Sequence, residues 1–418
     1  MLDFHVVIRR LLFLATLFAA PLPGQGRDCD GYLTMLVVPT GYCVRVFADK
    51  VGPVRHLVVL PNGTLVAGML AGGGLVRLRD ANGDGTADDI VRFGPSEPGT
   101  GVTWASGWLY FAADKGVVRY RWPETAAEPS PAGEWVAPNL PVGIWGSAHT
   151  MKGIAIGRDS ALYVSIGSET DNCQVNDRDA RSPGKWPCTE LSRRAGIWVF
   201  RPPAGGGAPW VGRRFATGLR NSEALAIDPA NDRLWGATHG RDYLNRVWGW
   251  SDAESAQQPA EMLELIVADA DYGWPYCQGL WRRDGTTLVR SPEYGNRPEV
   301  DCTLKTGPVM GFPGHWAPMA IAVTGSRMPP AYRNGLVIAF HGSRSRAPLP
   351  EDGHFLVFVP FDDSRRPAGA FQILLRTDGP VGSLRMAGVA AGPNGYLYIA
   401  DDEHGRIYRI EPHPPAKR

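Results

Sequence analysis

The chain has 418 residues, with 43 Lys and Arg against 42 Asp and Glu and a net charge of +1. This balance argues against a nucleic-acid partner, because binding to phosphates requires a concentrated positive field. The 51 Gly and 36 Pro residues together exceed one residue in five, while hydrophobic residues make up 44%. That hydrophobic content argues against disorder, and the Gly and Pro content favours a turn-rich all-β protein with a large core.

Residues 1–26 have the pattern of an export signal. Arg9 and Arg10 precede the apolar run 11–20, and Pro21 breaks that run. The run is too short for a permanent membrane-spanning helix, and a buried N-terminal helix is the alternative interpretation. We therefore expect a periplasmic or secreted protein with no stable membrane span.

Six cysteines follow this segment as three pairs that are close in sequence: Cys29 with Cys43, Cys173 with Cys188, and Cys277 with Cys302. In an exported protein this pattern favours disulfides over metal ligation. Six cysteines allow many connectivities, so the neighbour pairing is one hypothesis among several. The chain has no Cys-x-x-Cys-His motif, so covalent haem is not predicted.

One phrase recurs six times along the chain: an alternating apolar strand, a turn of Pro, Asn, Asp or Gly, and a second strand of the type Leu-Tyr-Val. The copies span residues 56–67, 101–112, 153–164, 224–235, 320–338 and 388–399. This is the pattern of a β-hairpin, which cannot bury its apolar faces alone. Hairpins repeated around an axis become blades that cover one another. The repeats predict an all-β, six-bladed β-propeller formed as a single domain by residues 27–418.

Further apolar strands follow four of the copies, at residues 117–120, 196–200, 355–359 and 405–410. The segment 44–47 is predicted to close the ring against the last blade. The interval between copies grows in the middle of the chain, which predicts long loops on the third, fourth and fifth blades. Long loops on a rigid scaffold commonly carry function.

An acidic loop at residues 80–88 has oxygen-bearing side chains at alternate positions, with Gly85 at the sharp turn. It matches an EF-hand loop through the ninth position, but Val91 at the twelfth cannot supply the bidentate carboxylate. A solvated acidic turn is the alternative. The pattern favours a structural calcium loop between strands. The predicted side-chain ligands are Asp80, Asn82, Asp84 and Asp88, and Thr86 would contribute its backbone carbonyl.

Several segments, in this order on a six-fold repeat, resemble the pyrroloquinoline-quinone (PQQ) dependent sugar dehydrogenases of the soluble glucose dehydrogenase and sorbosone dehydrogenase type. The resemblance covers about residues 42–410. Its most specific pieces are His-Thr-Met-Lys-Gly at 149–153 with Leu-Tyr-Val-Ser-Ile-Gly-Ser at 162–168, Gly-Leu-Arg-Asn at 218–221, His-Gly-Arg-Asp at 239–242, Asp-Tyr-Gly-Trp-Pro at 271–275 and His-Gly-Ser-Arg-Ser-Arg at 341–346.

This resemblance implies an enzyme in which PQQ takes hydride from a sugar or a related alcohol or aldehyde. Such a site needs cations for the PQQ carboxylates, a calcium ion to polarise the quinone, and a general base. The resemblance assigns His149 as the base and Trp316 as a surface that stacks on the sugar. It implies that Gly240, Arg241 and Asp242 hold the calcium ion. The implied PQQ contacts are Lys152, Arg220, Asn221, Arg346 and Arg385.

The chain departs from the family pattern at two places that concern the cofactor and the substrate. Lys152 stands where relatives commonly have Arg, and Arg344 and Ser345 replace the usual Trp-Asn. The chain contains no haem motif of its own, so electrons are expected to pass to an external acceptor such as a cytochrome c. Two alternatives stay open: a calcium-dependent propeller lactonase, and a sugar-binding propeller that has lost catalysis.

Overall fold

The computed structural model describes residues 36–143, 149–377 and 384–412. The predicted export signal, residues 1–26, and Cys29 lie outside these residues. The described residues form 27 strands and two short α-helices, numbered here along the chain. None of the helices described is long and apolar enough to cross a membrane.

The first half of the chain forms two N-terminal strands and three four-stranded antiparallel sheets. The N-terminal strands are β1 (Leu36–Val37) and β2 (Tyr42–Ala48). Blade 1 consists of β3 (Val54–Val59), β4 (Leu65–Met69), β5 (Leu75–Arg79) and β6 (Asp89–Phe93). Blade 2 consists of β7 (Gly99–Ala105), β8 (Trp108–Ala113), β9 (Gly116–Arg121) and β10 (Glu134–Ala137). Blade 3 consists of β11 (Ile154–Ile156), β12 (Leu162–Ile166), β13 (Gly196–Arg201) and β14 (Val211–Thr217).

The second half forms three more sheets and one separate hairpin. Blade 4 consists of β15 (Ala224–Ile227), β16 (Leu234–Thr238), β17 (Glu261–Ile266) and β20 (Met310–Phe312), and the hairpin is β18 (Cys277–Arg282) with β19 (Gly285–Arg290). Blade 5 consists of β21 (Pro318–Thr324), β22 (Gly335–Phe340), β23 (Phe355–Pro360) and β24 (Gln372–Thr377), and the N-terminal strand β1 pairs with β24 as its fifth strand. Blade 6 contains β25 (Met386–Ala391), β26 (Leu397–Asp401) and β27 (Arg406–Pro412).

The blades form a closed ring around an axis. The first strand of each blade contacts the first strands of both neighbouring blades, from β3 through β7, β11, β15, β21 and β25 back to β3. The N-terminal strand β2 becomes the outermost strand of blade 6, with Val44 opposite Ile410. The six-bladed propeller and its closure by residues 44–47 are therefore confirmed. Each repeat predicted from the sequence supplies the first two strands of one blade.

The second strand of each blade is covered on both faces by the neighbouring blades, and apolar side chains fill the space between the blades. All five residues of β4 are buried. Leu65 and Ala67 point to one side and share a core cluster with Ile407 of blade 6. Val66 points to the other side and shares a cluster with Phe111 of blade 2. Period-two alternation thus places apolar groups on both faces of the strand.

The long connections occur in blades 3, 4 and 5, as predicted. They contain α1 (Leu244–Trp248), α2 (Asp252–Ser255) and the 3-10 helices Thr189–Ser192, Pro292–Tyr294, Cys302–Leu304, Pro330–Tyr332 and Arg344–Arg346. The predicted disulfides between Cys173 and Cys188 and between Cys277 and Cys302 are confirmed. Cys43 is also disulfide-bonded, while its predicted partner, Cys29, is outside the described residues.

The inner strands approach each other closely at the axis, and Gly153 shows how closely. A Cβ atom added at Gly153 would lie 1.8 Å from the backbone oxygen of Glu223 in the next blade. Because the obstacle is backbone, no side-chain rotation can relieve that overlap. Only glycine permits this contact between blades 3 and 4.

Gly153→Ala is therefore expected to lower the free energy of unfolding by about 3 kcal/mol, because overpacking against fixed backbone is costly. Gly205→Ala is the matched control, since a Cβ atom at Gly205 would have nothing within 4 Å. Urea unfolding of both variants measures the difference. Equal stability of the two variants would contradict this account of the axis.

Candidate functional site

Two kinds of connection meet at one face of the propeller: the residues that precede each inner strand and those that follow each second strand. Because these two strands are antiparallel, the start of one lies beside the end of the other. His149, Arg220 and Arg385 precede the inner strands of blades 3, 4 and 6, while Asp242 and Arg346 follow the second strands of blades 4 and 5. Sequence-distant residues are thus brought to the same face.

His149 is partly buried, and Ser168 contacts its Nδ1 atom. The Nδ1 atom lies 2.9 Å from Ser168 Oγ and 3.2 Å from the Ser168 carbonyl oxygen. Burial and the nearby Arg220 guanidinium lower the pKa of His149 to about 3. The imidazole is therefore neutral near neutral pH, which is the form able to accept a proton.

Arg220 is buried and donates to acceptors on two loops. Its Nη2 atom lies 2.6 Å from Asp171 Oδ1 and 3.4 Å from Asp242 Oδ2. Its Nη1 atom donates to the Gly240 carbonyl at 2.7 Å, and its Nε atom donates to the Asp171 carbonyl at 3.0 Å. The guanidinium thereby joins the loop of blade 3 to the loop of blade 4.

The segment predicted to hold calcium, Gly240 to Asp242, is bonded to cationic side chains in this structure. Although burial opposes ionisation, His315 and Arg220 hold the pKa of Asp242 well below its usual range. The Arg241 side chain forms ion pairs with Asp171 and Glu293 inside the protein. Calcium coordination at this segment stays a prediction; the Gly240 carbonyl, which accepts from Arg220, keeps a second lone pair.

Arg346 and Arg385 lie on the loops of blades 5 and 6. Arg346 donates from Nε to the Pro350 carbonyl at 2.8 Å and from Nη1 to the Ala256 carbonyl at 2.6 Å. Arg385 is buried and donates to Glu351 at 2.5 Å, with Glu403 3.6 Å away. Both side chains keep N–H groups that form no hydrogen bond with the described residues.

Asn221 combines a satisfied donor with a free acceptor. Its Nδ2 group donates to Glu223 Oε1 at 3.2 Å. Its Oδ1 atom is buried and has no hydrogen-bond partner among the described residues. A Cβ atom at Gly167 would lie 3.0 Å from this oxygen and 2.5 Å from His149 Cβ. The Asn221 carboxamide oxygen and the His149 side chain therefore lie close to the same glycine, Gly167.

Two predicted site residues are engaged inside the protein. Lys152 is fully buried and donates to the carbonyls of Asp114 at 2.5 Å and Thr150 at 2.9 Å, and burial lowers the pKa of its amine to about 8. Trp316 belongs to an aromatic cluster and donates to Asp352 at 3.3 Å. The rings of the cluster lie 4.9 to 6.5 Å from Trp316 and are Phe312, Phe340, Phe355 and Phe371. Packing and hydrogen bonding account for both residues, so their cofactor and substrate roles stay predictions.

The acidic loop lies between β5 and β6, and its side chains bond to the backbone of the same loop. Asp88 accepts from the N–H of Ala81 at 2.9 Å and of Asn82 at 3.2 Å. Asp80 accepts from Gly85, and Asp84 accepts from the Thr86 N–H group. In the part of the chain that is described, the one group of three candidate ligand atoms within 4.8 Å is elsewhere and includes disulfide-bonded cysteines. Calcium binding by this loop stays a prediction.

A buried charge network at the axis was not predicted from the sequence. Arg55, on the inner strand of blade 1, lies 3.0 Å from Glu223 and 2.7 Å from Asp402. His341 lies 3.0 Å from the same Asp402 carboxylate. Despite burial, His341 and Arg55 lower the pKa of Asp402 to about 2. The network links Asn221, through Glu223, to blades 1, 5 and 6.

A polar residue after the second strand of a blade is a sequence signal for part of this network. In blades 2, 4, 5 and 6 the residue directly after that strand is polar: Asp114, His239, His341 and Asp402. In blade 3 the polar residue is one position later, at Ser168. The buried partners in the middle of loops, such as Asp171 and Glu293, carry no comparable signal.

The fold and this polar face define a six-bladed propeller with His149 and several arginines on one face, and comparison with known families is consistent with this architecture. A family model described as TrAA12-like matches residues 36–413. The chain therefore belongs to the TrAA12-like family. The predicted family resemblance is confirmed at this level. No curated protein sequence shows significant similarity to the chain.

Solved structures share the fold at low sequence identity. A carbohydrate-active enzyme of family AA12 from Trichoderma reesei is 19% identical over 91% of this chain and 98% of its own, with a TM-score of 0.75. The PQQ domain of pyranose dehydrogenase from Coprinopsis cinerea is 18% identical over 90% and 97%, with a TM-score of 0.72. A PQQ-bound aldose sugar dehydrogenase from Streptomyces coelicolor is 20% identical over 90% and 99%, with a TM-score of 0.54.

His56, which is buried beside Arg55, is expected to make the stability of the fold sensitive to acid. Burial lowers the pKa of His56 from 6.5 to about 4. Since the unfolded chain binds the proton more readily, the contribution of His56 to stability falls as pH decreases from about 6.5 towards 4. At pH 5 this loss is about 2 kcal/mol.

We expect His56→Gln to lack that loss, because a glutamine side chain does not titrate. Its amide can still donate to the Met319 carbonyl that His56 Nε2 contacts at 2.6 Å. Urea unfolding of both proteins at pH 7 and pH 5 tests this. Glu264, whose burial raises its pKa to about 8, acts in the opposite direction but equally in both proteins. An identical pH dependence of the two proteins would contradict the assignment.

Proposed function

We propose that this protein is an exported, PQQ-dependent dehydrogenase that oxidises a sugar or a related alcohol or aldehyde and passes the electrons to an external acceptor. The observation that carries the proposal is the neutral His149 on the same face as Arg220, Arg346 and Arg385, with Arg220 near enough to lower the pKa of the imidazole. Membership of the TrAA12-like family supports it. The similar fold of the PQQ domain of pyranose dehydrogenase and of the PQQ-bound aldose sugar dehydrogenase supports the same cofactor and substrate class.

The side chains on this face fit a planar cofactor that carries carboxylates. Arg220 has five N–H groups, and its contacts with described residues leave one N–H of Nη1 uncommitted. Within the described residues, the Arg346 Nη2 group and the Arg385 Nη1 group form no hydrogen bond. Asn221 Oδ1 adds a buried acceptor that lacks a partner among the described residues. Arg220, Arg346, Arg385 and Asn221 are therefore the residues that would hold PQQ.

PQQ, when bound, supplies an acceptor for two electrons transferred as hydride. The protein's own contribution is the general base. His149 Nε2 takes the proton of the substrate hydroxyl while the same carbon atom loses hydride, which leaves a carbonyl product. The neutral imidazole meets this requirement, since one of its two ring nitrogens is unprotonated and can accept a proton.

A calcium-dependent lactonase has less support from the axis. Glu223 and Asp402, the carboxylates that lie there, are paired with Arg55 at 3.0 and 2.7 Å. A metal ion between them would have to displace a buried guanidinium. Export is supported by the signal pattern of residues 1–26 and by the disulfides, which persist in oxidising compartments.

Reconstitution with PQQ tests the function. Purified apoprotein with PQQ and calcium is expected to bind the quinone and to reduce it when sugars are supplied, followed by quinone absorbance and by an artificial electron acceptor. His149→Gln should retain PQQ binding but lower kcat by about 100-fold or more, because a positioned base contributes that much. Absence of PQQ binding by the wild-type protein would overturn the proposal. Loss of binding in His149→Gln would remove the base assignment.

We also propose that calcium binds at the acidic loop, in line with the calcium structure of the Trichoderma reesei enzyme, which is 20% identical with a TM-score of 0.73. Calorimetric titration of the apoprotein should detect calcium binding, and Asp84→Asn should weaken the binding at this loop at least about tenfold, since affinity follows ligand charge. Asp89→Asn is the charge-matched control, because Asp89 pairs with Arg77. Equal effects of the two variants would argue for a solvated acidic turn.

A further inference from the structure

The hydrogen-bond partners of His149 determine which of its ring nitrogens carries the proton. Nδ1 faces two oxygens of one residue, Ser168 Oγ at 2.9 Å and the Ser168 carbonyl at 3.2 Å. A carbonyl oxygen can only accept, so Nδ1 must donate to it. Ser168 Oγ gives its own hydrogen to the Thr170 carbonyl at 2.7 Å and is left as an acceptor towards Nδ1. Both contacts therefore require a proton on Nδ1.

The surroundings of Ser168 hold it in that arrangement. The residue is fully buried, its N–H donates to the Arg220 carbonyl at 2.8 Å, and its carbonyl accepts from the His149 N–H at 3.0 Å. Thr170, the acceptor for the Ser168 hydroxyl, is bound to the Glu190 carboxylate through its own N–H at 3.2 Å and its hydroxyl at 2.5 Å.

A covalent link anchors the far end of this chain of contacts. Glu190 lies two residues after Cys188, which is disulfide-bonded to Cys173. The Cys173 N–H in turn donates to Thr170 Oγ1 at 2.8 Å. The direction of the Ser168 hydroxyl is thus set by its contacts with His149 Nδ1 and with the Thr170 carbonyl. Neither contact places a charged side chain against the imidazole.

We propose that Ser168 is the positioning residue of the reaction: it keeps the proton of His149 on Nδ1 and so presents an unprotonated Nε2 to the substrate hydroxyl. This inference rests on the proposed function only for the identity of the reaction. The tautomer itself is a property of the protein without cofactor. A hydroxyl partner orients the ring without adding the negative charge that a carboxylate would bring.

The tautomer can be measured directly by long-range proton–nitrogen NMR of apoprotein labelled with nitrogen-15 histidine. The chain has nine histidines, so the spectrum of His149→Gln identifies the signals of His149 by their absence. Wild-type His149 is expected to be protonated on Nδ1 alone. Ser168→Ala loses the shorter 2.9 Å contact and keeps only the 3.2 Å contact with the backbone carbonyl, so a measurable share of the Nε2-protonated tautomer is expected in that variant. A proton on Nε2 in the wild type, or an unchanged tautomer in Ser168→Ala, would overturn the proposal.

The kinetic arm uses holoenzyme and a matched control. Ser168→Ala is expected to lower kcat about tenfold with little change in KM. Loss of an orienting partner typically costs about 10- to 100-fold, and the lower value is expected because the Ser168 carbonyl still faces Nδ1. Ser168→Thr keeps the hydroxyl and should restore most of kcat. Ser165→Ala removes an equally buried hydroxyl that accepts from Gly153, and it should leave both tautomer and kcat unchanged.

The two arms separate the two proposals. If wild-type holoenzyme fails to reduce PQQ, the proposed function fails, whereas the NMR experiment still decides the role of Ser168. If Ser165→Ala lowers kcat as much as Ser168→Ala, the effect comes from general loss of packing, and the positioning role is wrong.

Discussion

The close contact of six inner strands around the axis is the constraint on which the rest of the molecule depends. Because all six start at the same face, the residues before them and those after the second strands converge there, although they are far apart in sequence. The contact between Gly153 and the Glu223 backbone shows how little space separates the strands. Closure by β2 and β27 then keeps the first and last blades together. The positions of His149, Arg220 and Arg385 follow from this ring.

Charge on the polar face is distributed as buried pairs. Arg220 is paired with Asp171, Arg55 with Glu223 and Asp402, and Arg385 with Glu351. Positive and negative side chains are therefore balanced on this face, as they are in the whole chain, whose net charge is +1. Separating a buried pair leaves an uncompensated charge and costs several kcal/mol. An anionic ligand is therefore better served by the uncommitted N–H groups than by displacement of the protein carboxylates.

Most of the fold could be predicted from the sequence, because a period-two pattern with turn residues is a local signal that recurs six times. The predicted copies match the first two strands of every blade, and segment 44–47 closes the ring. Part of the site could be predicted from the sequence, because the repeat determines where residues next to its strands lie, as for His149 and Arg220. The network of Arg55 and Asp402 was missed because its pairing joins residues 347 positions apart.

The surroundings of two predicted site residues depend on packing that local chemistry does not reveal. Trp316, which the family resemblance assigns to the sugar, lies among phenylalanine rings. Lys152, which the same resemblance assigns to the cofactor, donates its amine to two backbone carbonyls. In both cases the sequence identifies a suitable side chain, whereas its direction depends on neighbours from other blades. Burial is the quantity that sequence reasoning could not supply.

The environment of His149 links the strength of the base to the occupancy of the site. A base whose pKa is about 3 accepts a proton poorly at neutral pH. Besides burial, the nearby Arg220 guanidinium lowers that pKa, and Ser168 contributes no negative charge to oppose it. A ligand carboxylate bound to Arg220 would offset this positive charge and raise the pKa of the imidazole. On the proposed function, His149 therefore becomes an effective base only when the anionic cofactor is in place, and the neutral Ser168 partner preserves that dependence.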